Sequence, residues 1–141
     1  YTDGLDKFEQ MLKDIENARS YIHLEYFIVK NSEIGKKLKD ALIKKAKQGV
    51  KVRFIYDEIG SFRLIFHPDF AREMKSAGIE FRPFIHIHFP YIHRKFNYRN
   101  HRKICVIDGE IGYIGGLNIG DEYVHENKKF GFWRDTHLRI E

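Results

Sequence analysis

Asn100-His101-Arg102-Lys103 sets an imidazole two residues from an ammonium. At the start of a strand, residues two apart leave on the same face. That pairing is poor for structure and useful for chemistry on a phosphate. The cation holds phosphate oxygens and offsets developing charge. The imidazole attacks phosphorus or shuttles a proton near neutral pH. Downstream lies Gly115-Gly116-Leu117-Asn118. Glycines there let backbone N–H groups approach a phosphate, and Asn118 adds a donor. A His-x-Lys alone is usually a solvated strand edge, so the whole spaced set carries the reading.

Other candidate groups read as ordinary. His23, His67, His125 and His137 have no metal-ligand spacing with carboxylates or with each other. His86 and His88 alternate as chelating strand histidines do, but no third ligand stands nearby. No metal and no cofactor is expected. Lys44, Lys45 and Lys47 read as the solvated face of a helix. Trp133 reads as packing. The single cysteine, Cys105, excludes an internal disulfide and reads as a buried thiol.

The elements that position these groups alternate helix and strand. Leu5, Phe8, Met11, Leu12 and Ile15 recur at helical spacing. Residues 21–29 form an apolar run expected as a buried strand. A second helix is expected after a cap at Asn31 or Ser32, with Ile34, Leu38, Ala41, Leu42 and Ala46 inward and Gly49 closing it. Strands at 50–56 and 79–84 flank a third helix running from Pro68 to Ala77. That order implies crossovers and parallel pairing. Residues 103–107 and 111–114 flank Asp108-Gly109, a hairpin signal, and the hairpin returns the two glycines toward His101. A last strand is expected at 136–140. The fold class is α/β: a mixed, mostly parallel sheet flanked by helices, in one domain over residues 1–141.

The 141 residues carry 43% hydrophobic and 32% charged side chains, enough for a packed core. The net charge of +5 suits an anionic partner, nucleic acid or acidic lipid. No apolar stretch approaches the roughly 20 residues of a spanning helix. The start at Tyr1 and the stop within a strand-like stretch read as a piece of a longer chain. Residues 85–98 form a loop of aromatic, apolar and basic residues leading into the His101 strand. Such a loop can set Phe89, Tyr91, Ile92 and Phe96 in a lipid interface while Arg94 and Lys95 meet anionic head groups. The alternative is that these aromatics pack onto the sheet.

His-x-Lys, four residues, Asp108, six residues, then Gly115-Gly116-x-Asn118 resembles the signature of the phospholipase D superfamily. The surroundings are similar to bacterial cardiolipin synthases: Asn97-Tyr98-Arg99-Asn100, Ile119-Gly120-Asp121-Glu122-Tyr123, Phe132-Trp133-Arg134-Asp135-Thr136, Ile22-His23-Leu24-Glu25-Tyr26-Phe27 and Tyr56-Asp57-x-x-Gly60-Ser61. Gly116 stands where many superfamily members have serine. The resemblance implies a catalytic set of His101, Lys103 and Asp108, although the spacing and the Asp-Gly turn also suit a structural task for Asp108. It implies phosphate binding by Gly115, Gly116 and Asn118. It places an acid at Asp135 to orient the histidine, with Glu126 and Asp121 as alternatives.

The same resemblance implies metal-free, two-step phosphatidyl transfer through a phosphohistidine. Two phosphatidylglycerols become cardiolipin and glycerol at a bacterial cell membrane. One copy of the motif is half a site, so the second motif-bearing half and two membrane segments are expected elsewhere in a parent chain, and this piece alone is expected to be inactive. Two rivals stand beside this. One is a phosphodiesterase, either a phospholipase or a homodimeric nuclease, though no nucleic-acid-binding motif is present. The other is a non-catalytic module for anionic membranes.

Overall fold

Asp3 opens the first helix by accepting from the backbone N–H of Leu5 at 2.7 Å, as an N-cap carboxylate does. The computed structural model describes residues 1–85, 99–125 and 131–141. Helix α1 spans Gly4–Asn17 and buries Phe8, Met11 and Ile15, spaced three and four apart, against the sheet. Leu5, part of the same helical spacing, is exposed on the first turn. Helix α2, Glu33–Lys47, starts at Ser32, whose Oγ accepts from Gly35 N–H, so Ser32 and not Asn31 is the cap. Gly49, at φ 93°, supplies the left-handed residue just past its end. Helix α3 spans Pro68–Ser76.

Among the described residues, six strands form one sheet: β1 (Tyr21–Tyr26), β2 (Lys51–Tyr56), β3 (Glu80–Pro83), β4 (Lys103–Ile107), β5 (Ile111–Gly115) and β6 (His137–Ile140). Their order is β3-β2-β1-β4-β5-β6. β1, β2 and β3 run parallel, and each parallel pair is joined through a helix, because parallel neighbours need a crossover. β4, β5 and β6 add antiparallel pairs. The sheet is mixed, with more antiparallel pairing than expected.

Alternation along each strand separates two faces. Ile22, Leu24 and Tyr26, then Val52 and Phe54, Phe81, Cys105 and Ile107, and Tyr113 point into the core beneath the helices. Ile55, Ile114, Leu138 and Ile140, between 40 and 55% exposed, lie on the other face, which no described helix covers. His23, Glu25, Arg53, Ile55, Ile104 and Val106 line a shallow hollow there. Among the described residues, no helix is long and apolar enough to cross a membrane.

Strand directions decide where the chemistry sits. The C-terminal ends of β1, β2, β3 and β5 meet the N-terminal ends of β4 and β6 along one rim. That rim receives Phe27, Asp57, His101, Lys103, Gly115 and Asp135. The β4–β5 turn, with Asp108, lies at the opposite rim.

Candidate active site

Lys103 is the first residue of β4, paired with Tyr26 at the end of β1. Its side chain is buried while His101 stays exposed. Lys103 Nζ lies 2.8 Å from His101 Nδ1 and donates to the His101 carbonyl at 2.6 Å. Burial pulls the Lys103 ammonium below the ordinary lysine range, and the carboxylate of Asp135 pushes back. A cation held in place and partly stripped of water responds strongly to an arriving anion.

A carboxylate was expected at the second ring nitrogen of His101, from Asp135. The structure places Lys103 Nζ at Nδ1 instead. Asp135 acts on the ammonium, and its Oδ1 accepts from Thr136 N–H at 2.7 Å. Asp121, an alternative, accepts from the N–H groups of Glu33 and Ile34 at 3.1 and 3.0 Å and caps α2. Glu126, the other alternative, lies outside the described residues, as do Phe89, Tyr91, Ile92, Arg94, Lys95 and Phe96 of the expected docking loop, and His86 and His88.

The two glycines serve β6 first. A Cβ on Gly115 would stand 2.6 Å from His137 Cα, and one on Gly116 would stand 2.5 Å from the Asp135 carboxyl carbon. The N–H of Gly116 donates to the Thr136 carbonyl at 3.0 Å, so it is not free for a phosphate. The pair lets the Asp135–His137 segment close against the end of β5 and so carries Asp135 toward Lys103. Asn118 is buried. Its Oδ1 accepts from Ile28 N–H at 3.0 Å, and its Nδ2 donates to Tyr123 Oη at 3.3 Å. One N–H of the amide remains. Asn118 therefore ties the segment after β1 to the segment after β5, and a parallel bridge between Val29 and Ile119 completes the tie.

Asp108 is not with the reactive pair. Seven residues of extended chain, at roughly 3.3 Å each, separate it from His101. Its carboxylate accepts from the N–H groups of Arg19, Ser20 and Tyr21 at 2.7, 2.8 and 2.8 Å. Burial would raise its pKa, but these donors outweigh burial and hold it below the usual aspartate value. These bonds anchor the entry to β1 and fit the structural task that its Asp-Gly turn suggested.

Several residues given no role in the sequence reading shape the pair. The Phe27 ring lies 4.5 Å from the His101 ring, with Lys103 Nζ at 5.4 Å and the Arg99 guanidinium at 5.2 Å from its centre. The aromatic face favours both cations. Gly60 leaves room for Phe27, since a Cβ there would meet the Phe27 ring at 3.1 Å. Ser61 Oγ accepts from Val29 N–H at 2.9 Å and donates to the Phe27 carbonyl at 3.2 Å.

Asp57, buried, accepts from Gly60 N–H at 2.9 Å, Asn100 N–H at 3.2 Å and the Arg99 guanidinium. Burial would raise its pKa, but Arg99 and the two amides outweigh it. Asn100 Nδ2 in turn donates to Glu25. The segment immediately before His101 is thus held on both sides. The pattern Asp57-x-x-Gly60-Ser61 just after a strand was the available signal. Among the described residues, no group of three His, Cys, Asp or Glu side chains is placed to hold a metal ion.

Comparisons with known proteins bear on the fold and the family. In structure the chain is similar to phosphatidylserine synthase of Haemophilus influenzae, with TM-score 0.76, 17% identity, and coverage of 99% of this chain and 32% of that one. It is also similar to the phospholipase D family member Nuc of Salmonella typhimurium, with TM-score 0.62, 17% identity, and coverage of 94% and 72%. At that identity the likeness shows the fold. In sequence it is 52% identical over 140 residues to the major cardiolipin synthase ClsA of Bacillus subtilis and 51% identical over 139 residues to a cardiolipin synthase of Geobacillus kaustophilus. The match spans 99% of this chain and only 29% and 27% of those relatives. Residues 11–135 match the family model described as cardiolipin synthase, PLD-like domain, and the chain belongs to that family.

Proposed function

We propose that this chain is one half of the active site of a phosphatidyltransferase that joins two phosphatidylglycerols into cardiolipin and releases glycerol. The observation that carries the reading is the contact of a buried Lys103 ammonium with an exposed His101 imidazole at a rim where six strand ends converge. In the first step an imidazole nitrogen attacks phosphorus. The P–O bond to the head-group glycerol breaks, and a second imidazole protonates the leaving alkoxide. In the second step that imidazole takes the proton from a hydroxyl of the next phosphatidylglycerol. Its oxygen attacks phosphorus, and the P–N bond breaks. Lys103 offsets the charge that grows on the phosphoryl oxygens. His101 is one of the two imidazoles.

The second comes from another copy of the motif. The sheet face that no described helix covers, with Ile55, Ile114, Leu138 and Ile140, suits a second half packed sheet to sheet. The share of the relatives' length that the chain leaves unmatched has room for it.

Thin-layer analysis of products from labelled phosphatidylglycerol tests the proposal, with the full-length protein and this chain side by side. The full-length protein should form cardiolipin. His101→Ala and Lys103→Ala should each lower its turnover by several orders of magnitude. A variant that keeps a tenth of the wild-type rate removes that residue from the chemistry. This chain alone should be nearly inactive, and a rate rising with the square of its concentration would show that two copies complete the site.

A further inference from the structure

The 3-10 turn Phe62–Phe66 follows β2 at the site rim and leaves large apolar side chains in solvent. Phe62 is 52% exposed, Ile65 68% and Phe66 74%, and Phe84, at the end of β3 on the same rim, is 47% exposed. The turn is not a loose loop. Leu64 is buried in the core on the helix side of the sheet. Ser61, one residue upstream, is buried and bonded to the Phe27 and Val29 backbone beside the reactive pair. Phe84 N–H donates to the Tyr56 carbonyl at 2.8 Å. A firmly held backbone thus presents apolar side chains outward on the rim that also holds His101 and Lys103. Isolated exposed apolar residues are common, but a group of them on one rim marks a contact surface.

We infer that Phe62, Ile65, Phe66 and Phe84, with Arg63, form a lip that inserts into an anionic lipid surface beside the reactive pair. Three observations favour lipid over protein as the occupant. Residues 61–68 include the cation Arg63 and no carboxylate, which suits a layer with phosphate above and hydrocarbon below. The turn is rooted through Leu64 in the helix-side core, so a second half on the open sheet face leaves the lip outward. The turn is also continuous with Ser61 and Phe27, so docking there brings a lipid phosphate to His101 and Lys103. The inference rests on the proposed lipid substrate and adds the element of this chain that meets it.

Co-sedimentation of this chain with phosphatidylglycerol/phosphatidylcholine vesicles, and with phosphatidylcholine vesicles alone, reads the lip without any turnover. Wild type should bind the anionic vesicles. The double variant Phe62→Ser/Phe66→Ser should partition at least about tenfold more weakly with an unchanged melting temperature. Phe66→Trp should keep binding and be quenched by brominated lipid beyond what Trp133 alone shows. Failure of wild type to bind, equal binding by the double variant, or a Phe66→Trp protein quenched no more than wild type would each overturn the lip. Should the double variant melt lower, the Phe66→Trp quench alone decides. Self-association abolished by the double variant, without vesicle binding, would make the patch a protein interface and overturn it as well. Vesicle binding by this chain with no cardiolipin from the full-length protein would sink the functional reading alone.

Discussion

Asp108→Ala separates a structural aspartate from a catalytic one. The substitution strips acceptors from the N–H groups of Arg19, Ser20 and Tyr21, now 2.7, 2.8 and 2.8 Å from the carboxylate. A hydrogen bond to a charged group contributes about 1.5–3 kcal/mol when water cannot replace it. Arg19 and Ser20 are exposed and regain water, so their share is discounted; Tyr21 is half-buried and regains less. The sum is about 2–4 kcal/mol. Unfolding entropy near 2.1 cal/mol/K per residue converts this, for a chain of this length, to a melting temperature lower by about 7–13 °C.

Asp108→Asn should lose about half as much. Its amide oxygen can keep the Ser20 and Tyr21 bonds, while its NH2 faces the Arg19 N–H. Thermal and urea denaturation measure the stability, and hydrogen exchange at residues 19–21 should rise locally. Acid adds a check. The native carboxyl is held below 3.8, so its contribution is full above that value and is lost as pH falls through the native value. An Asp108→Ala protein that melts within about 2 °C of wild type, in a full-length enzyme that has lost its activity, would refute the structural account and return Asp108 to the chemistry.

Gly115→Ala and Gly116→Ala should differ although they are neighbours. The first drives a methyl into the His137 backbone and should cost about 1–3 kcal/mol. The second meets the swinging end of Asp135 and should cost less than about 1.5 kcal/mol; urea midpoints showing equal losses would contradict the contacts described. His137 is fully buried, neither ring nitrogen has a hydrogen-bond partner, and burial beside Lys7 pulls its pKa to about 3. Between pH 6.5 and 3 the unfolded chain therefore binds a proton that the fold refuses, and stability should drop by roughly 1.4 kcal/mol for each unit that the pH is lowered. His137→Leu should flatten that slope, measured by urea denaturation across the interval, and an unchanged slope would rule His137 out as its source.

What the sequence determined by itself is local. The periodic apolar residues of α1 and α2 set those helices, since spacing of three and four is a property of the chain alone. Asp108-Gly109 determined the hairpin, and both residues take the positive φ, 54° and 75°, that such a turn requires. His101 and Lys103 stand two apart at the entry to β4, and Lys103 Nζ reaches the ring. Elsewhere the local signal ran out. The apolar run 21–29 reads as one long strand, yet β1 ends at Tyr26, because beyond it Ser61 and Asn118 take over the backbone N–H groups of Val29 and Ile28.

The partners of the polar groups were decided by the tertiary structure. Asp108 bonds residues 87 to 89 positions away, Asp121 caps a helix 87 positions before it, and Asp57 braces Asn100 from 43 positions off. Lys7 sits on an amphipathic helix like any solvated lysine, but it is buried with its Nζ 3.1 Å from Tyr26 Oη and its pKa drawn down to about 7. Carboxylates and ammonium groups carry no periodicity that names a distant partner. Which donor or acceptor each one meets follows from strand order and direction, and these form only when the whole sheet does.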